Sequence, residues 1–481
     1  MANNVVDGGL DEFLKENVYP QLQDAINIRS KERQIFSGIE DGRIDGKWFR
    51  LSFLTKGNFR LDGRAERDYL PGTDTSVTGA NDAFPTLEGI EAKFNRKQLY
   101  SGIELSGPAF EAGRGAGGFE EMGRLIMKQT MDAFPESVSR TWATGRAGIL
   151  GELGATPGNG ATSLTLVEAD APASEAEAVP WAGNRLIRPN MVIDFVAGAA
   201  GPVFDIDGAL RSDGSKGERG RLVSAVSEDN GAPTITIDAL GTSHAVAAAD
   251  LIVPYKSRVA AAITQGTTSE ASWYGADGIM DAVNNSSDPH YTMTYYGQLS
   301  KASNPVLQSK MLGSGATPAA LTLSQMNRLA EMISVDPAGG GEPDVGYCTP
   351  GVWRKFIENN NLVSFSSNNP TRFQEPGKGF KPTLGVSGIT VNNIGMTGQL
   401  TTYVSPLAPQ YRYYMMQRST LLMLQDKALG TLDRDGLSWR MNGSSKDAWM
   451  LFFGWYCTGI VNKAPVRSGY ILNVLGDQNN S

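Results

Sequence analysis

The chain has 481 residues, with 43 Lys and Arg against 51 Asp and Glu, a formal net charge of −8, two Cys and two His. The length suffices for several domains and a buried core. The acidic balance speaks against a basic duplex-binding face, and so few Cys and His exclude a disulfide framework or a Cys/His zinc motif and leave little for His-based catalysis.

The opening residues carry acids and no basic-then-apolar stretch, so no secretory peptide is expected. The low Cys usage fits a reducing compartment, and the expectation is a soluble cytoplasmic product. Residues 10–36 set Leu10, Phe13, Leu14, Val18, Leu22, Ile26 and Ile35 at a helical period, predicting an amphipathic arm interrupted at Pro20. Residues 47–55 (KWFRLSFLT) and 88–105 (EGIEAKFNRKQLYSGIEL) alternate polar and apolar side chains as half-buried strands do. Between them, residues 56–87 are polar and rich in Gly, Asp and Arg, longer than an ordinary strand connection. A long hairpin projecting from the body is therefore expected. Its charges Arg60, Arg64, Glu66, Arg67 and Asp68 are candidate contacts to an adjacent subunit, since the stretch has too few apolar residues to fold back alone.

After residue 117, Phe119, Met122, Ile126 and Ala133 fall on one helical stripe, with Glu120 and Glu121 in the first turn, where the helix dipole favours acids. A long helix is predicted, kinked at Pro135 and resuming from 142 to 153. Gly113, Gly115, Gly117 and Gly118 ahead of it read as a hinge. Residues 155–182 read as a low-complexity linker. Strand-like segments follow at 186–195, 203–206, 221–226, 234–240 and 250–253, separated by turn signals such as Asp213-Gly214 and Asp229-Asn230-Gly231. They predict a small inserted β-barrel over 163–253. Beyond it, helices are expected at 323–333, capped by Thr322 or Ser324, and at 351–359, with strands at 388–391, 411–417 and 421–425. The uncharged run 383–411 suits strands and turns. The 15 uncharged residues between Asp447 and Lys463 fall short of the roughly 20 that a membrane helix needs and read as core.

Several motifs invite chemistry and admit a plainer reading. Gly113, Gly115 and Gly118 match G-x-G-x-x-G, with Asp132 and Glu136 at about the spacing of a dinucleotide site. The preceding segment, however, holds Pro108 and the following one reads as helix, so the flanking strands of a Rossmann unit are missing and the hinge is preferred. Residues 211–221 carry four basic side chains but no G-K-[ST] ending, and suit a solvated hairpin tip. Cys348 and Cys457 have no His beside them and read as small buried hydrophobes. Asp205, Asp207 and Asp213 do not complete a calcium loop. The aromatics Tyr291, Tyr295 and Tyr296, and Trp449, Phe452, Phe453, Trp455 and Tyr456, could stack bases, but such density is expected of a core or a subunit interface.

The order of arm, projecting hairpin, glycine hinge, kinked helix and mixed remainder resembles the major capsid protein of tailed bacteriophages, the Hong Kong 97 fold. Stretches that carry the resemblance are GIEAKFNRKQLYSGIELSG, EPDVGYCTPGVWRKF, VSPLAPQYRYYM and LDRDGLSWRMNGSSKDAWMLFFGWYCTGIVNKAP. It implies an α+β chain with an N-terminal arm (1–46), an extended loop (47–96) and a peripheral domain with a spine helix (97–162). The inserted barrel (163–253) comes next, then more of the peripheral domain (254–320), an axial domain (321–406) and a return to the peripheral domain (407–481). It also implies a coat protein rather than an enzyme, without cofactor or metal, assembling with itself as hexamers and pentamers into an icosahedral head shell around double-stranded DNA. Its further partners would be a separate scaffolding protein, a portal, a decoration protein and packaged DNA contacted on the inner face without sequence specificity, with no membrane. The expected location is the virion head, assembled in the host bacterial cytoplasm. Some members join a Lys of the extended loop to a neighbour's Asn, for which Lys56 and Asn392 or Asn393 are the positions here. Two rivals are an encapsulin-like nanocompartment shell and a dinucleotide-binding oxidoreductase.

Overall fold

The structure is a computed structural model and describes residues 32, 35, 38–41, 44–45, 48–56, 88–106, 136, 138–143, 150–167, 185–196, 220–227, 233–240, 246–248, 250–255, 295–313, 319–336, 340–359, 387–392, 399–409, 411–431, 439–441 and 448–475. In chain order the strands are β1 (Gly38–Asp41), β2 (Ile44–Asp45), β3 (Trp48–Lys56), β4 (Glu88–Asn95), β5 (Lys97–Ser106), β6 (Gly151–Leu153), β7 (Ser163–Val167), β8 (Val192–Val196), β9 (Arg221–Val226), β10 (Thr234–Ile237), β11 (Leu251–Pro254), β12 (Tyr295–Tyr296), β13 (Leu299–Ser300), β14 (Lys310–Gly313) and β15 (Ala319–Ala320). Helix α1 (Leu323–Ser334), β16 (Val345–Cys348), helix α2 (Pro350–Asn359), β17 (Ser387–Asn392), β18 (Gln399–Val404), β19 (Tyr413–Met416), β20 (Leu421–Thr431), β21 (Trp439–Met441), β22 (Ala448–Asn462), β23 (Gly469–Leu472) and β24 (Val474–Leu475) follow.

A six-stranded mixed sheet, ordered β14-β23-β19-β16-β18-β17, lies at the centre. Its strands β16 (VGYC), β19 (YYMM) and β23 (GYIL) are buried along their whole length. Alternate side chains of a strand point to opposite faces, so a strand covered on both faces has no polar side and shows no alternation. Tyr347, Tyr414, Met416, Tyr470 and Leu472 enter one core. Cys348, Tyr413, Met415 and Ile471 enter the other, against Met326, Leu329 and Ile333 of α1 and Val352, Trp353 and Phe356 of α2. Helix α1 begins at a capping box in which Thr322 and Gln325 satisfy each other's backbone amides, so Thr322 and not Ser324 is the cap. Gly346 has to be glycine because a Cβ there would run into the hydroxyl of Tyr413, which pairs with Thr402 Oγ1 at 3.0 Å.

The first of these cores is closed by a second sheet, β1-β20-β22-β21, with β5 on β22 as well. The uncharged run before Lys463 forms the 15-residue strand β22, and its Trp455, Cys457, Ile460 and Val461 pack with Leu421–Leu424 of β20. The central sheet takes β14 from before residue 320 and β19 and β23 from after residue 406. One hydrogen-bonded sheet thus crosses both of the borders expected there.

A closed barrel, β10-β7-β6-β11-β8-β9, encloses Leu164, Leu166, Ile193, Phe195, Val223, Ile235 and Ile252. Three expectations are corrected here. Helical backbone is found at 136 and 138–143, but Gly151–Leu153 is β6, a barrel strand paired with β11 and β7. Glycines at 145, 148, 151 and 154 weaken a helix there, and closing the barrel ladder supplies the hydrogen bonds instead. The stretch expected as a linker contains β7, because Leu164 and Leu166 are needed inside the barrel. Finally, β8 starts at Val192 rather than 186, and Leu186 and Ile187 are buried in the turn ahead of it. The predicted strand at 203–206 lies outside the described residues.

Burial pushes the phenols of Tyr296, Tyr347 and Tyr413 above their ordinary value of 10.0. Each is neutral in the folded chain, whereas the unfolded chain ionises near pH 10. Their contribution to stability is therefore complete below that pH and is lost as the pH rises beyond it. Melting temperature is expected to fall steeply above about pH 10, with these phenols ionising only as the chain unfolds. A tyrosinate absorbance titration run beside the melts checks this, and full ionisation with the fold intact would contradict the burial.

Candidate assembly surface: the hairpin and its root

The hairpin is the antiparallel ladder of β3 and β4, in register from Trp48↔Asn95 to Lys56↔Glu88. Phe49, Phe53, Ala92 and Phe94 turn inward to the core. Arg50 and Glu91 face outward and pair at 3.2 Å, a half-exposed ion pair worth about 1 kcal/mol at most. The register sets Lys56 and Glu88 opposite each other, so both ends of segment 57–87 leave the ladder side by side.

A second, two-residue hairpin holds the root. β12 and β13 join through Gly297 (φ 53°) and Gln298 (φ 69°), the positive-φ pair that a tight hairpin turn requires. Gly297 lies directly on the ladder, and its carbonyl accepts from the Lys93 amide at 2.8 Å. A Cβ there would stand 2.5 Å from the Ala92 Cβ and 3.0 Å from the Phe94 ring. Next to it, the Tyr296 ring meets Phe94 and Phe53 edge-on at 5.1 and 6.2 Å. The Tyr296 hydroxyl accepts from the Asn462 amide at 2.7 Å and donates to the Asn462 carbonyl at 3.0 Å. Ladder, turn and the end of β22 are thereby joined through one buried side chain. Sequence reasoning placed Tyr296 in an aromatic cluster and missed this clamp, because Gly-Gln is not one of the dipeptides that mark a two-residue hairpin and Gln298 adopts its positive φ only in the folded chain.

The single strand expected over 88–105 is two strands in different sheets, a correction with a sequence signature. Apolar residues fall on even positions (Ile90, Ala92, Phe94) and then on odd ones (Leu99, Ile103, Leu105), and a one-residue slip exchanges the faces of a strand. The break is Arg96. After it, β5 pairs with β22 from Lys97↔Cys457 to Ser106↔Ala448. Arg96 Nη1 meets Asp426 at 2.7 Å, and its guanidinium lies 5.3 Å from the centre of the Tyr456 ring.

Arg60, Arg64, Glu66, Arg67 and Asp68 lie outside the described residues, as do Gly113, Gly115, Gly117 and Gly118 with Asp132, and also Asp205, Asp207, Asp213, Tyr291 and Asn393. Glu136, the other acid of the candidate dinucleotide motif, accepts from Arg188 Nε at 3.0 Å and lies 3.8 Å from Arg140 Nε, joining helix to barrel. Arg221, at the end of the basic loop, donates to the Ala239 carbonyl at 2.8 Å. Cys348 and Cys457 are both buried thiols, and burial pushes the Cys348 thiol up, away from thiolate chemistry. Lys56 ends β3 and Asn392 ends β17, in different sheets.

No family model and no curated protein matches the chain. Among solved structures, the chain is similar to the capsid asymmetric unit of cyanophage A-1(L), at 12% identity over 90% of both chains with a TM-score of 0.42. It is similar as well to the capsid of a native GTA particle, at 8% identity over 93% of this chain and 92% of that one, with a TM-score of 0.41. An encapsulin complex from Synechococcus elongatus matches 36% of this chain and 55% of its own, at 13% identity and a TM-score of 0.23.

Proposed function

We propose that the chain is a major capsid protein of the Hong Kong 97 type, which assembles with itself as hexamers and pentamers into the icosahedral head shell of a tailed bacteriophage and encloses its DNA. The observation that carries this reading is the clamped hairpin. The β3/β4 ladder, held at its root by Gly297 and Tyr296 and edged by β2, delivers the charged segment 57–87 from one side by side pair of strand ends. Its alternating Arg and Asp or Glu suit salt-tunable contact with an identical neighbour rather than burial in its own core. In this reading the axial domain comprises α1, β16, α2, β17 and β18, whose sheet continues through β14, β19 and β23 into the peripheral domain, to which the β1-β20-β22-β21 sheet with β5 also belongs. The closed barrel stands between the helical segment and the rest as an insertion. Arm, hinge glycines and hairpin-tip contacts, and any scaffolding, portal or decoration partner, belong to the same proposal.

Negative-stain microscopy of the purified protein, alone and with its scaffold, is expected to show closed shells tens of nanometres across. A monodisperse monomer under every salt and scaffold condition would overturn the reading, and shells that protect a cargo protein but no DNA would move it to a nanocompartment.

A further inference from the structure

Glu32, just ahead of β1, is 2% exposed, and its Oε1 accepts from Ser405 Oγ at 2.5 Å and from Tyr347 Oη at 3.5 Å. Ser405 belongs to the turn that leaves β18. Its amide donates to the Cys348 carbonyl at 3.1 Å, and its Oγ accepts from the Leu407 amide at 3.2 Å. On the other side of that turn the Leu407 carbonyl accepts from Nη1 of Arg185, a residue 6% exposed in the turn leading to β8. The Leu407 side chain packs in the barrel core. The turn at Arg185 is tied on, in its turn, to the helical segment: Arg188 Nη1 donates to the Arg185 carbonyl at 2.9 Å, and Arg188 Nε to Glu136 at 3.0 Å.

We propose that Glu32 and Arg185 form one coupled latch across the Ser405–Leu407 turn, so that Glu32 with Ile35 ahead of β1 and the barrel dock on the central sheet together and release together. Two buried charges of opposite sign bind the same short turn through charge-assisted hydrogen bonds. The turn cannot shift at Ser405 without shifting at Leu407, because the Ser405 hydroxyl that donates to Glu32 also accepts from the Leu407 amide. Tyr347, beneath the turn, lies close enough to feel both charges. The coupling is reciprocal by thermodynamic necessity, and it is a property of the single chain, independent of shell assembly.

Hydrogen exchange on the full-length unassembled chain tests it with the near-isosteric variants Glu32→Gln and Arg185→Gln. Glu32→Gln is expected to speed exchange about tenfold at Ala408, whose amide donates to the Ser405 carbonyl at 3.1 Å, and also in the barrel, at Met191, whose amide donates to the Arg188 carbonyl at 3.3 Å. Arg185→Gln is expected to do the same at Ile35, whose amide donates to the Glu32 carbonyl at 3.1 Å. The double variant should exceed the larger single effect by less than about threefold. Acceleration confined to each variant's own segment, or two factors that simply multiply, would overturn the latch. Should either variant fail to fold, Ser405→Ala removes the shared hydroxyl and keeps both charges, and Ile35 and Met191 must then speed together for the latch to stand.

Discussion

Replacing residues 57–87 by an Asn-Gly turn between Lys56 and Glu88 is expected to abolish closed shells and leave the folded chain at least as stable as before. Lys56 and Glu88 are direct partners at the end of the ladder, a position that a two-residue turn with positive φ can close without disturbing the register. The buried side chains of the hairpin, Phe49, Phe53, Ala92 and Phe94, lie nearer the root and keep their contacts. Closing a loop costs about 0.6 kcal/mol per doubling of its length, so removing some four doublings returns about 2 kcal/mol to the folded chain. A melting temperature equal to or above that of the parent, with no shells by microscopy, is the expected pair of results. Normal shells without the segment would show that its charges do not hold neighbouring subunits, and a large fall in melting temperature would show that the segment packs on its own chain.

Gly297→Val is expected to destabilise the chain by about 3 kcal/mol or more and to loosen the hairpin at its root. A left-handed conformation at φ 53° costs a non-glycine residue about 1–2 kcal/mol. The added Cβ, 2.5 Å from that of Ala92 and 3.0 Å from the Phe94 ring, forces a displacement costing about 1–3 kcal/mol more. The two costs can be separated. In Gly297→Ala combined with Ala92→Gly, the contact is relieved and the backbone cost stays, so the pair should recover only part of the loss seen in Gly297→Ala alone. Denaturant melts read the energies, and amide exchange at Lys93, whose donor bonds the Gly297 carbonyl at 2.8 Å, reports the root itself. A valine variant that melts with the parent would mean that the turn does not lie on the ladder as described.

Sequence and structure agree where the determinants are local. The strand KWFRLSFLT has one wet and one dry face, so alternation marks it, and it is found as β3. Helix α1 carries its own cap in Thr322 and Gln325, and β9 lies at 221–226 as its pattern and flanking turns suggest. The apolar stretch ahead of Lys463 reads as core and forms the long strand β22, whose Trp455, Cys457, Ile460 and Val461 are buried. Even the corner at Arg96 is written in the sequence as a change of parity in the apolar positions, visible once the two sheets are known.

By itself, the sequence determined the α+β class, a hairpin carrying a long charged insertion, a small barrel, and a chain short of His and Cys, because each of these follows from composition or from periodicity within one segment. Only the tertiary structure decided which strands share a sheet. β16, β19 and β23 are buried on both faces and have lost the alternation that would mark them, and β6 and β7 become strands in Gly-rich sequence because a barrel must close. The clamp of Gly297 and Tyr296 on the hairpin, and the meeting of Glu32, Arg185, Tyr347 and Ser405, join residues far apart in the chain. No local pattern encodes such meetings, since the free energy that selects them comes from burying side chains of distant segments against one another and from satisfying each buried polar group with a partner that only the folded chain brings near.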